Sequence, residues 1–91
     1  MEAISTWLNI DGNSVVLALQ AAAEKLDVAP GEAVLGFESV RRIESGALQA
    51  MQEFADIADE KAVKVVLRGV NVEVYKVLKL VKLTRRFSFV S

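Results

Sequence analysis

Hydrophobic positions along the chain follow two periods in turn, and the switches between them mark its elements. Thr6-Trp7-Leu8-Asn9-Ile10 alternates polar and apolar side chains and runs into Asp11-Gly12-Asn13-Ser14, a dense cluster of turn formers. Alternation ended by such a cluster predicts a strand and its turn. From Ser14 the pattern changes: Val15, Leu17, Leu19, Ala22, Ala23 and Leu26 fit a mostly buried helix, with Ser14 or Asn13 at its N-cap. Residues 27–32, which include Pro30-Gly31, break that helix. Ala33-Val34-Leu35-Gly36-Phe37 is a short apolar run between breakers, as expected of a buried strand.

Residues 38–44 form a charged connection with Val40 and Ile43 as apolar anchors, and Ser45 opens a second helix. Leu48, Met51, Phe54, Ala55 and Ala58 recur at three and four, while Glu53, Asp56, Asp59 and Glu60 occupy the other face. A third apolar run, Val63, Val65, Val66 and Leu67, stops at Gly69 and predicts a central buried strand. Asn71 is then expected to cap a third helix with Val74, Val77, Leu78 and Val81 inward and Lys76, Lys79 and Lys82 outward. Phe87-Ser88-Phe89-Val90 alternates like a final strand. Strands alternating with helices predict an α/β fold: a small four- to five-stranded, mostly parallel sheet with helices mainly on one face. Residues 1–91 are expected to form a single domain, because so short a chain leaves no room for two cores.

Composition narrows the chemistry. The chain has no Cys and no His, which removes disulfides, thiolate–imidazole metal sites and histidine-based nucleophilic triads. No catalytic residues, cofactor or metal are expected, and the chain reads as a non-enzyme. No stretch reaches the roughly 18 apolar residues that a membrane helix needs, so membrane insertion is not expected. Met1-Glu2-Ala3 lacks the basic start of a secretory signal, and the expected location is cytoplasmic. The net charge of −1 hides an asymmetry: residues 1–60 hold eleven acids against three bases, and residues 61–91 hold eight bases against Glu73. Both sets can line solvated faces, or together they can orient a partner electrostatically. Nucleic acid is not expected as a partner, since no aromatic residues are spaced among the basic charges for base stacking.

The stretch Val40-Arg41-Arg42-Ile43-Glu44-Ser45-Gly46-Ala47-Leu48 carries the candidate site. A hydroxyl at a loop-to-helix junction followed by two minimal side chains is either a plain helix cap or a surface that another protein approaches closely. Free amides at a helix start favour a negative group, so a phosphate on Ser45 would be accepted locally. It would also place about −1.5 to −2 charges on a docking face. Glu44, Ser45, Gly46, Ala47, Arg41 and Arg42 are the candidate partner-binding residues, and Ser45 the candidate phospho-acceptor.

Residues 34–48, ending in Ile43-Glu44-Ser45-Gly46-Ala47-Leu48, resemble the signature of the STAS family, an apolar strand followed by a motif of the form Asp-Ser-Ser-Gly-Leu. Residues 63–83 resemble that family's next strand, its Asn-containing turn and the following helix. The resemblance covers roughly residues 33–90. It implies a protein-interaction domain of the anti-sigma factor antagonist type, acting in the regulation of transcription through an anti-sigma factor that is also a serine kinase. In such antagonists the first Ser of the motif is phosphorylated, which releases the partner; that position is Ser45. Glu44 stands where Asp is usual, Gly46 replaces the second Ser and Ala47 the Gly. The family's N-terminal Gly-Glu-Leu-Asp element is poorly matched by Ile10-Asp11-Gly12-Asn13. A second subfamily, the STAS subunits of bacterial phospholipid-transport ABC systems, has a hydroxyl residue directly before Gly. It also has a Gly-Val-Asn-x-x-Val-Tyr stretch that Gly69-Val70-Asn71-Val72-Glu73-Val74-Tyr75 resembles. That likeness implies docking on the ATPase subunit of a transporter. Trp7 and Tyr75 read as packing residues, Trp7 in the core or at a sheet edge.

Overall fold

The computed structural model describes residues 5–26 and 31–90. Side chains are described from residue 7 onward, and the Asp27–Pro30 part of the expected helix breaker lies outside the described residues. Four strands, β1 (Ser5–Asn9), β2 (Glu32–Gly36), β3 (Lys64–Arg68) and β4 (Ser88–Val90), pair in parallel in the order β1-β2-β3-β4. Three helices, α1 (Val15–Lys25), α2 (Ser45–Glu60) and α3 (Val72–Leu80), make the crossovers, and a single 3-10 turn (Leu83–Arg85) follows α3.

The sequential strand order dictates where the helices go. Each crossover steps one strand in the same direction, so crossovers of one hand put all the helices on one face. The core shows that arrangement. Ala33 and Leu35 of β2 and Val65 and Leu67 of β3 share one cluster with Leu19 of α1, Met51, Phe54 and Ala58 of α2, and Val74 and Leu78 of α3. The alternate positions fall on the far face, where pairing sets Trp7, Val34 and Val66 in one row. Val34 and Val66 are buried there. Trp7 is 60 % exposed on its edge strand, with the Arg68 guanidinium 5.2 Å above its ring.

The expected elements are present with boundaries shifted by one residue at all four strands, and two inward assignments are corrected. Leu17, expected inside α1, is 67 % exposed. Positions 15, 19, 22 and 26 keep the three-and-four spacing that tracks one face, and 17 falls off it. Val81, expected on the inner face of α3, is its C-cap and is also exposed. The helix ends one residue earlier, so helical periodicity no longer directs that side chain.

α2 ends in a Schellman arrangement: the Val63 amide donates to the Ala58 carbonyl at 2.9 Å and the Ala62 amide to Asp59 at 3.1 Å. The motif requires a left-handed residue, and Ala62 takes it at φ 56°. A Cβ in that region costs about 1 kcal/mol, which is why glycine is the usual occupant. Ala62→Gly is therefore expected to stabilise the domain by about 0.5–1 kcal/mol and to raise Tm by several degrees in thermal unfolding. An unchanged or lower Tm would show that the left-handed turn carries no strain.

Candidate functional site

Parallel strands joined by helices deliver every helix start to the carboxyl edge of the sheet, and the candidate site is built there. The loop after β2 begins with the Phe37 amide donating to the Arg68 carbonyl at 2.7 Å, and Val40 is buried beneath it. Ser39 ties this loop to the one after β1. Its hydroxyl donates to the Ile10 carbonyl at 3.0 Å and accepts from the Gly12 amide at 3.1 Å. The contact is close enough that a Cβ at Gly12 would overlap the Ser39 carbonyl oxygen.

Asn71 anchors the other side. Its Oδ1 accepts from the Val74 amide at 2.8 Å, the N-cap bond expected of it. Its Nδ2 then reaches across and donates to the carbonyls of Val40 and Arg41, at 3.3 and 3.1 Å. One side chain thus starts α3 and holds the segment leading to Ser45. The sequence pointed to the cap alone. Ser39 and the second half of the Asn71 contact join residues about thirty positions apart and leave no local signature.

Ser45 is the first residue of α2, after Glu44, whose extended backbone (φ −106°, ψ 171°) makes it the N-cap. The Glu44 side chain makes no capping bond, and Ser45 is exposed with no side-chain hydrogen bond to any described residue. The amides at the start of α2 are thereby left without a side-chain partner, as helix geometry predicts for an uncapped first turn. Gly46 is exposed, and a Cβ built there would meet nothing within 4 Å. Glycine in a helix costs up to about 1 kcal/mol relative to alanine. Packing gives no reason for that cost here.

Of the remaining candidates, Arg41, Arg42 and Glu44 are exposed beside the helix start. Ala47 differs from expectation: it is 7 % exposed and belongs to the core, because its position in the first turn faces the sheet. An open groove of about 500 Å³ runs between the starts of α1 and α2, lined among others by Asn13, Ser14, Leu17, Arg42, Glu44 and Gly46. Ser14 is the N-cap of α1 and, like Glu44, makes no side-chain capping bond. Two uncapped helix starts, one arginine and the exposed Leu17 therefore border one concave surface. Among the described residues there is no group of three or more Asp or Glu able to hold a metal ion. Among the described residues no helix is long and apolar enough to cross a membrane.

No protein-family model matches the chain, and no curated protein matches it. Among solved structures, a candidate anti-sigma factor antagonist from Thermotoga maritima matches with a TM-score of 0.71 at 20 % sequence identity. The match covers 98 % of this chain and 74 % of that one. The chain has the fold of that protein, the STAS fold expected from residues 33–90.

The double role of Asn71 is testable by splitting it. Asn71→Asp keeps the acceptor that caps α3 but loses the donor and sets a carboxylate against two carbonyl oxygens. It is expected to lower stability by about 1–2 kcal/mol in urea unfolding, as for a lost cap or a repelled polar contact. Asn71→Asp unfolding at the wild-type urea concentration would remove the bridge from the account.

Proposed function

We propose that this domain is a non-enzymatic docking module of the anti-sigma factor antagonist kind, with the surface around Ser45 as its contact and phosphorylation of Ser45 as its switch. The observation that carries this reading is Gly46. A glycine in the first turn of α2 with empty space at its Cβ position weakens the helix and serves no contact within the domain. It does leave the backbone beside Ser45 open to a partner. Residues kept against stability are expected where function needs them.

The Ser45 hydroxyl supports the switch. It is exposed and unbonded to described residues, so a kinase can take it without first breaking a local contact. In the transfer the hydroxyl oxygen attacks the γ-phosphorus of ATP, the bond to ADP breaks, and the hydroxyl proton leaves to a base on the kinase. The phosphate would find free amides at the helix start and the nearby Arg41 and Arg42, so the fold can accommodate it. A partner seated on the same surface would then face about −1.5 to −2 added charges, and repulsion with desolvation cost would release it. The partner in this reading is an anti-sigma factor with serine-kinase activity. The fold of the Thermotoga maritima protein supports the docking role.

A second reading is favoured by the 69–75 segment. Gly69 sits at φ 73° and Asn71 clamps the loop before Ser45, which gives the Gly-Val-Asn stretch a structural purpose. In that reading the same surface docks constitutively on the ATPase subunit of a phospholipid-transport ABC system, and Ser45 acts as a plain hydroxyl.

Incubation with the partner kinase and ATP is expected to add a single phosphate, located at Ser45 by mass spectrometry and absent from Ser45→Ala. Protein isolated from its own host without phosphate on Ser45, and with binding that survives Ser45→Thr, would favour the constitutive interface instead. A second variant tests the surface itself. Gly46→Ala is expected to hold or raise stability by up to about 0.5 kcal/mol while weakening docking. Undiminished binding by Gly46→Ala would place the interface elsewhere.

A further inference from the structure

The outer face of α3 presents an unusual combination of side chains. Val72, Lys76, Lys79 and Leu80 lie within about half a turn of one another on the side opposite the buried Val74 and Leu78. Val72 is 69 % and Leu80 81 % exposed, and Val81, Lys82 and Arg85 continue the exposed surface beyond the helix. Exposed aliphatic side chains set singly on a surface need no explanation. Here two of them flank Lys76 along one stripe, with further cations at its end.

These cations are not spent inside the domain. Arg86 is: it donates to Asp56 at 2.9 Å and Asp59 at 2.7 Å. Lys76, Lys79, Lys82 and Arg85 form no ion pair with any described residue, and Glu73 is the one acid on α3. The patch is therefore net positive, and it carries the exposed aliphatic side chains Val72 and Leu80.

We propose that this face adsorbs to an anionic phospholipid surface, with α3 lying in the plane of the membrane, Val72 and Leu80 entering the headgroup region and the lysines meeting lipid phosphates. Charge complementarity and composition select this occupant over an acidic protein. Protein interfaces favour aromatic residues and arginine and are depleted in lysine. A helix with lysines beside protruding aliphatic groups suits a lipid surface, where the long lysine stems keep the charge in water while the apolar groups sink. No spanning helix is involved. Ser45 and α2 take no part, so this proposal and the docking switch stand or fall separately.

Co-sedimentation with vesicles tests it. The full chain is expected to bind vesicles of phosphatidylcholine mixed with phosphatidylglycerol at low salt, to ignore pure phosphatidylcholine, and to be released by salt. Lys76→Gln with Lys79→Gln is expected to reduce binding roughly thirtyfold, on the usual contribution per basic residue. Leu80→Gln is expected to weaken it several-fold at unchanged charge. All three positions are exposed, and circular dichroism melts verify that the variants remain folded. Ser45→Ala is expected to bind as the wild type does. Binding that ignores phosphatidylglycerol, or that persists in the double lysine variant, would overturn the proposal. So would failure on vesicles combined with lysine-dependent retention on immobilised polyglutamate, which would assign the face to an acidic polypeptide.

Discussion

Parallel pairing of β1 to β4 is the constraint from which the rest of the molecule follows. A parallel neighbour cannot be reached by a tight turn, so each strand must send the chain back across the sheet through a helix. With the strands in sequential order, the three crossovers share one face and one direction. All three helix starts then collect at the carboxyl edge, where free amide groups face outward. The candidate site is there because the topology has nowhere else to put exposed helix starts. Ser39 and Asn71 lock together the three loops that follow β1, β2 and β3, at distances of 3.0–3.3 Å.

The helices do not begin equally well. α3 starts with a bonded asparagine and an acidic residue in its first turn, both favourable to a helix start. α2 starts with a glutamate whose side chain caps nothing, followed by Ser45 and an unpacked Gly46. Sixteen residues of amphipathic packing compensate for that start, with Met51, Phe54, Ala55 and Ala58 all buried. Stability in α2 comes from its middle, and Ser45 and Gly46 at its start stay exposed.

Charge is arranged on the same principle. Arg86, beside the 3-10 turn, is shared by Asp56 and Asp59 of α2, and the hydrogen bonds it donates to Asp56 and then Asp59 raise its guanidinium above its ordinary pKa. A raised arginine keeps its own charge at every pH below its unfolded value and gives it up only in strong alkali. With its side chain about one-third exposed, the pairing fixes position more than it adds stability. The acidic and basic halves of the sequence meet where Arg86 pairs with Asp56 and Asp59 and where Arg68 lies 3.8 Å from Glu38.

The sequence by itself determined the element order, the identity of the central strand and the cap of α3. Those depend on periodicity and on short-range hydrogen bonding, which are local properties of the chain. The strand that carries Trp7 and the opening of α2 at Ser45 were legible for the same reason. Leu17 read as a core residue on its apolarity although it falls off the three-and-four spacing, and Val81 because α3 ends one residue earlier than its pattern. The tertiary structure decided the rest. Ala47 read as surface because its small size said nothing of its direction. The Ser39 and Asn71 bridges join loops distant in sequence, and only the parallel sheet brings them within hydrogen-bonding reach. The emptiness around Gly46 also belongs to the fold, since a glycine in sequence does not tell whether a neighbour excludes its Cβ or nothing does.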